Sequence, residues 1–371
     1  MNFTPLDIIL YLFVFTTSII CLYILRWLIL IIKARQSTIK ERLSPVSVVI
    51  CAHNEEDNLR TLIPVLLDQD HPDFELVIVD DRSYDGTYDY LLELKNSNPK
   101  VKMVKVDHLP EHVNGKKYGL TLGIKAAKNE IIVLTDADCR PAGKKWLRLV
   151  ASNFDEKTAF VLGYSNYEKK KGILNTLIQF ETLFTGIQYT AEALGGSPYM
   201  GVGRNMAYRK SFFLNHKGFN RHLKIQGGDD DLFINEFAKR KNTKVEAGPE
   251  SLVTSAPKEK WHEYFRQKRR HISVGKHYRK RDRMKIGIWG LMYCVHWFTL
   301  IPLLALQFEL LWLLGGYALK LILLMILLAT GAKKLGDKFA VWLAPILDIY
   351  YLVYLLWAVS VSFSRKKVKW K

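Results

Sequence analysis

The chain has 371 residues, 54 Lys and Arg against 36 Asp and Glu, a net charge of +18, and 49% hydrophobic residues. That length accommodates a catalytic domain with membrane elements beside it, and the charge points to anionic partners: nucleic acid, anionic lipid or anionic small molecules. Cys21, Cys51, Cys139 and Cys294 form no Cys-x-x-Cys and no metal-ligand spacing, which excludes a cysteine metal site; disulfides are not expected in a domain that faces the cytosol.

Residues 6–32 are nearly all apolar, with Arg26 the only full charge after Asp7. The stretch is long enough to span a bilayer. It is too long for the apolar core of a signal peptide, its start lacks basic residues, and no small-x-small site follows. Segment 1–33 is therefore expected to be a transmembrane helix. Lys33, Arg35, Lys40 and Arg42 come next, which marks the following chain as cytoplasmic.

From 45 to 258 the pattern is that of a soluble α/β domain. Residues 46–51 are a β-branched run ending at Ala52-His53-Asn54-Glu55-Glu56, and a helix is expected from Asn58 to about Leu67, broken near Asp70-His71-Pro72,. Residues 74–79 are a second strand ended by Asp80-Asp81, and Ser83-Tyr84-Asp85-Gly86-Thr87 supplies caps for a helix through Leu94,. Residues 101–106 are a third strand, 116–128 a helix and 130–135 a fourth strand, running into Asp136-Ala137-Asp138. Strand and helix alternate, so a mostly parallel, doubly wound sheet is expected.

Each strand end carries acids or amides: Asn54-Glu55, Asp80-Asp81, Asp136-Ala137-Asp138. In a parallel sheet these ends share one edge, where ligands sit. Carboxylates gathered there repel one another and need a cation or hydrogen-bond donors. A uracil N–H and ribose hydroxyls would satisfy the first acids, and a metal-bound diphosphate the last. A strand-end Asp also serves as a plain turn or helix cap. Asp229-Asp230-Asp231 before Leu232-Phe233-Ile234 can cap a helix, which accounts for one or two of the three acids,. Gly201-Val202-Gly203-Arg204 reads either as backbone and guanidinium approaching a phosphate or as a tight turn into a strand,. His53, His216 and His222 read as surface or loop residues.

At these residues the sequence resembles a family, the inverting family 2 glycosyltransferases with a GT-A fold and membrane helices. The resembling pieces are residues 48–56, 79–87, Gly115-Lys116 with Gly123, Thr135-Asp136-Ala137-Asp138, Gly228-Asp229-Asp230-Asp231-Leu232 and Gln267-Lys268-Arg269-Arg270, in order over about 45–275. The resemblance implies a GT-A catalytic domain, an α/β Rossmann-like fold flanked by transmembrane helices. It implies that Asp80 and Asp81 hold uridine and that Lys116 contacts the nucleotide. Asn54 and Glu55 join the nucleotide-sugar site. Asp136 and Asp138 bind the diphosphate and a metal, Mg²⁺ or Mn²⁺. Asp229 matches the catalytic base, and a register shifted by one residue makes it Asp230. Gln267 and Arg270 match Gln-x-x-Arg-Trp, with His271 where the family has the Trp that helps form the acceptor site. Arg269 or Arg270 is placed to clamp phosphate. Transfer with inversion needs a base on the acceptor hydroxyl opposite the departing nucleotide and no covalent nucleophile; a positioned carboxylate typically contributes about 10²–10⁴-fold.

Trp261, Tyr264 and Phe265 recur at helical spacing among Lys260, Arg266, Arg269, Lys276, Arg279, Lys280, Arg281 and Arg283. Segment 259–285 is read as a basic amphipathic helix on an anionic membrane leaflet. Single-stranded nucleic acid is the competing partner for such a pattern, and the adjacent apolar spans decide for lipid. In 286–363 three runs, 286–308, 310–330 and 340–363, could each cross a bilayer, interrupted by Pro302, Pro345 and Asp348. Three full crossings would put the basic tail, 364–371, outside, against the positive-inside rule, so one segment is expected not to cross fully. The reading is a membrane-bound inverting hexosyltransferase in a bacterial inner membrane. Its catalytic domain faces the cytosol, its donor is a UDP-sugar and its acceptor is lipid or lipid-linked. A processive polysaccharide synthase and a non-catalytic nucleotide-binding scaffold are the alternatives.

Overall fold

In a computed structural model, residues 4–363 are described; the basic tail, 364–371, lies outside the described residues. The first apolar run forms α1 (Pro5–Ile31), started by a capping box in which Thr4 and Asp7 bond each other's backbone N–H through their side chains,. Next come β1 (Val46–Ala52), α2 (Glu56–Leu67), β2 (Phe74–Asp81), α3 (Thr87–Ser97), β3 (Val101–Val106), α4 (Gly115–Ala126) and β4 (Ile131–Leu134). The domain continues with β5 (Cys139–Pro141), α5 (Trp146–Ser152), β6 (Phe160–Leu162), β7 (Ser165–Tyr167), α6 (Ile173–Leu194), β8 (Met206–Arg209) and α7 (Lys210–Asn215). Then follow α8 (Asp231–Phe237), β9 (Thr243–Val245), β10 (Val253–Ser255) and α9 (Trp261–Gly275), and α10 (Lys280–Ala305), α11 (Leu310–Leu335) and α12 (Ala344–Phe363) complete the described residues.

The central sheet has the order β3-β2-β1-β4-β8-β6-β9. The β3-β2-β1-β4 half is parallel, β8 runs antiparallel to β4 and β6, and β9 is parallel to β6. Helical crossovers cover both faces of the parallel half, so every residue of β2 and β4 is buried,. A small second sheet, β5-β10-β7, stands beside it. The expected mostly parallel α/β sheet is what forms, with an antiparallel strand inserted beyond β4.

α6 joins this domain to the apolar helices. Glu192, near its C-terminus, takes the guanidinium of Arg26 and the indole N–H of Trp27 (3.1 Å) from α1, and Lys285 (3.3 Å) from α10. Glu181, on the same helix, accepts from the hydroxyls of Tyr264 and Tyr350 and pairs with Lys268 at 2.6 Å. One continuous core runs through α1, α6, α10, α11 and α12. Among the described residues, four helices are long and apolar enough to cross a membrane by length and composition: Pro5–Ile31, Lys280–Ala305, Leu310–Leu335 and Val341–Ser362.

Segment 259–285, expected as one amphipathic helix, is instead two. α9 stops at Gly275, and residues 280–285 are the opening turns of α10. The break has a cause: the Tyr278 hydroxyl donates to Asp231 (2.5 Å) and the Arg279 N–H to Asn235 (2.7 Å), so α8 turns the chain between the helices. Tyr264 is fully buried against Leu174 and Ile178, so this member of the expected lipid-facing stripe faces protein. Trp261 and Phe265 remain exposed.

Candidate active site

Parallel pairing puts the C-terminal ends of β1, β2 and β4 on one edge,. Just past β1 and β2, Asn54 (φ 56°) and Arg82 (φ 58°) take left-handed backbone that non-glycine residues seldom adopt,. The two turns are laced together: Asn54 N–H donates to the Ser83 hydroxyl (3.0 Å), and Tyr84 N–H donates to Asn54 Oδ1 (2.9 Å). Successive strand residues point to opposite faces. Asp81 accordingly lies against the start of α4, where a Cβ on Gly115 would sit 2.8 Å from its Oδ2. Asp80 accepts from Ser83 N–H (3.2 Å) and lines a separate cleft with Tyr84, Tyr88 and Lys105.

Lys116, in the first turn of α4, reaches Asp136 Oδ1 at 2.8 Å and Asp229 Oδ2 at 3.1 Å. One ammonium thus joins α4, the end of β4 and the segment before α8. Asp138 accepts from the Ser255 hydroxyl at the end of β10 (3.1 Å). Asp230 is the N-cap of α8: its Oδ1 accepts from Asp231 N–H and its Oδ2 from Gly203 N–H, both at 3.0 Å. Asp231 is buried against Tyr278. Of the three adjacent acids, Asp229 is the one that meets Lys116, and through it Asp136. The Gly201–Arg204 stretch turns into β8, as one of its two readings expects, and the Arg204 guanidinium lies 4.2 Å over the Tyr167 ring. Gln267 donates to the Tyr167 hydroxyl (3.3 Å). Arg270 packs against Gly227 and lies within electrostatic range of Asp229, whereas Arg269, about 100° further round α9, is exposed, as is His271.

The electrostatics follow from this crowding. Burial works against the Lys116 charge, yet Asp136 and Asp229 outweigh it and hold the ammonium well above the ordinary lysine range. Burial likewise favours a neutral Asp229, and Lys116 overrides it, followed by Arg270, so the carboxyl is held below the usual range. Glu55 goes the other way: burial raises it, Asn58 (2.7 Å) opposes, and Asp138 and Asp136 add to the rise. The Cys51 thiol is raised by burial and by Asp81, Asp136 and Asp229, which locates these acids around one point of β1. Among the described residues no three His, Cys, Asp or Glu side chains converge tightly enough to enclose a metal. The donors that fit a hard divalent cation are Asp136 and Asp138, the pair whose negative field already acts on Glu55,.

Lys117 is a participant that the sequence reading passed over. Its side chain is buried and donates to the carbonyls of His222 (2.7 Å) and Ile225 (3.0 Å). Beside it, Asn114 N–H donates to Leu223 O (2.9 Å) and Asn114 Nδ2 to Gln226 Oε1 (3.1 Å). Burial brings the Lys117 pKa down to about 8 against the pull of Asp229. This clamp fixes the loop that delivers Gly227 and Gly228, at φ 82° and 73°, and then Asp229. The signal in the sequence is the run Asn114-Gly115-Lys116-Lys117, in which Gly115-Lys116 stands out and Lys117 does not.

Residues 47–216 match the family described as Glycosyl transferase family 2. This match runs from β1 to the end of α7 and covers less than half of the chain, which has a GT-A type of fold. It is 27% identical over 238 residues to the Bacillus subtilis (strain 168) protein named "Probable glycosyltransferase YdaM", covering 62% of this chain and 55% of that one. It is 28% identical over 134 residues to the UDP-Glc:alpha-D-GlcNAc-diphosphoundecaprenol beta-1,3-glucosyltransferase WfaP of Escherichia coli, covering 35% and 49%. The chain therefore spans about half the length of these curated relatives. Among solved structures, the mannosyltransferase PcManGT from Pyrobaculum calidifontis, in complex with GDP-Man and Mn²⁺, superposes over 98% of this chain and 100% of that one, with a TM-score of 0.65 at 19% identity; this likeness speaks for the fold.

Proposed function

We propose that the chain is a membrane-bound inverting glycosyltransferase that moves a sugar from a UDP-sugar to a lipid or lipid-linked acceptor at the cytoplasmic face of a bacterial inner membrane. The observation that carries the reading is Lys116 held between Asp136 and Asp229, which gathers acids from distant parts of the chain at the ligand-binding edge of a parallel sheet. Asp229, kept ionised, is the base that takes the acceptor proton. Asp230, occupied in capping, shapes the segment that presents it. Lys116 and Arg270 are the cations that meet the departing diphosphate. Asp136 and Asp138 are the residues to hold a divalent cation, Mg²⁺ or Mn²⁺, with its other ligands from phosphate and water. When bound, such a cation offsets negative charge on the leaving group. The four apolar helices and the basic run Lys33, Arg35, Lys40, Arg42 support a membrane location with the domain on the cytoplasmic side,. The acceptor named for WfaP, a diphosphoundecaprenol-linked sugar, supports a lipid-linked one here.

The test is a panel of UDP-sugars offered to the purified chain in native lipid extract. Metal-dependent UDP release is expected, with mass spectrometry finding one sugar added to a lipid. Chelation should abolish release, and Mn²⁺ or Mg²⁺ should restore it. UDP release from no donor, or calorimetry showing no metal-assisted UDP binding, would end this reading.

A further inference from the structure

We propose that α12 does not cross the bilayer but lies in the leaflet on the catalytic domain's side, which leaves α1, α10 and α11 as the spans. The inference rests on the membrane reading above and goes beyond it by naming the segment that does not cross. Both ends of the α12 region are tied to the domain. Before it, Asp337 accepts from the Tyr164 hydroxyl (2.7 Å) and from Asn166 Nδ2 (3.0 Å), both in or beside β7. Along it, the Tyr350 hydroxyl meets Glu181 of α6, and the Trp357 ring lies 5.1 Å from the Phe265 ring of α9. α9 also carries the exposed Arg266 and Arg269 and reaches Asp229 through Arg270. Trp357 stands 13 residues beyond Ala344, so in a spanning helix it would lie about 20 Å deeper and would draw this charged helix into hydrocarbon.

The contacts with α10 agree. The Arg26–Glu192–Lys285 cluster marks a level where hydrocarbon cannot extend,. Tyr351 meets the Trp289 indole N–H (3.1 Å), and a Cβ on Gly290 would lie 3.9 Å from Leu355. Asp348 accepts from Tyr293 and pairs with Lys320 of α11 at 2.7 Å, both side chains fully buried. Among the described residues, these hydrogen bonds and ring contacts of α12 with α10 fall on residues 289 to 293, within about 12 Å of Lys285 along the helix,. α12 crosses its neighbour instead of running beside it. Its outer face, Ile346, Ile349, Val353 and Leu356, is 68%, 52%, 59% and 41% exposed and suits the acyl region just beneath the headgroups. With three crossings instead of four, the conflict with the positive-inside rule does not arise.

Nitroxide labels at Ile346→Cys, Val353→Cys and Leu356→Cys, in the full chain with its four native cysteines replaced and in proteoliposomes, give depth from collisional quenching. Labels at Leu311→Cys and Ile326→Cys, on the exposed face of α11, calibrate the scale. The two α11 labels should differ by about 22 Å and the α12 labels by less than about 5 Å, one helical turn. A spread of about 15 Å along α12, with α11 as expected, overturns the inference alone. No spread along α11 overturns the membrane reading beneath it. A second readout needs no variant: trypsin added outside intact spheroplasts should leave the 364–371 tail uncut, and cutting there from outside would overturn the inference.

Discussion

Asp229, Asp230 and Asp231 carry the same functional group and meet three different environments. Asp230 spends both oxygens on backbone N–H groups, Asp231 is buried on Tyr278, and Asp229 meets Lys116. Asp229→Asn is therefore expected to keep UDP binding and to lower turnover about 10²–10⁴-fold, whereas Asp230→Asn, which keeps one of the two acceptor oxygens, should lower it much less; the reverse result would move the base to Asp230. The sequence could not separate them, because the choice is made by the positive φ of Gly227 and Gly228 and by Gly203 N–H, all features of backbone path. Lys116 supplies a pH test. A depressed carboxyl pKa means that the ionised form is favoured by folding. Its contribution is present above the ordinary value near 4 and lost as pH falls through the lowered one. The acid limb of kcat/KM should accordingly lie below the usual carboxylate range. In Lys116→Met it should move to higher pH while the KM for donor rises, and an unmoved limb would show that another group sets it.

α6 and α4 show what whole elements contribute. Glu181→Ala leaves Lys268, Tyr264 and Tyr350 without their shared acceptor and should cost about 3 kcal/mol; Tyr264→Phe removes one hydroxyl and should cost about 1 kcal/mol. Thermal unfolding in detergent should rank them in that order, and equal melting temperatures would show that Glu181 is not the joint between α6, α9 and α12. Lys117→Met strips the donor from the His222 and Ile225 carbonyls, about 1–3 kcal/mol for each group left unpaired. Turnover should fall and the 218–228 loop should become sensitive to limited proteolysis. The elements through β4 were legible because each strand is long enough, four to eight residues, to show a β-branched run between turn signals. β5, β6, β7, β9 and β10 were not, since three residues carry no period. The break in 259–285 was hidden for another reason: a tertiary contact from Tyr278 to Asp231 overrides a continuous amphipathic pattern.

At the scale of the molecule, a net charge of +18 surrounds a cleft built from carboxylates. The excess positive charge is not in the site. Lys33, Arg35, Lys40 and Arg42 follow α1, and Lys280, Arg281 and Arg283 open α10, all exposed; Arg266, Arg269 and Lys276 add exposed charge on and just after α9. These positions adjoin the ends of helices apolar enough to span, where a basic residue near an anionic surface contributes about 1 kcal/mol. On the proposed function, the arrangement would separate two tasks, holding the leaflet with cations and holding the nucleotide with acids and Lys116. It predicts different lipid and salt responses for each. In proteoliposomes containing phosphatidylglycerol, turnover with a lipid-linked acceptor should exceed that in phosphatidylcholine. The difference should shrink as salt shortens the screening length toward and below about 10 Å. UDP affinity, set within the cleft, should not change with lipid. Equal turnover in both lipids at low salt would mean that the basic collar does not engage the leaflet, and a lipid-dependent UDP affinity would mean that the two tasks are not separate.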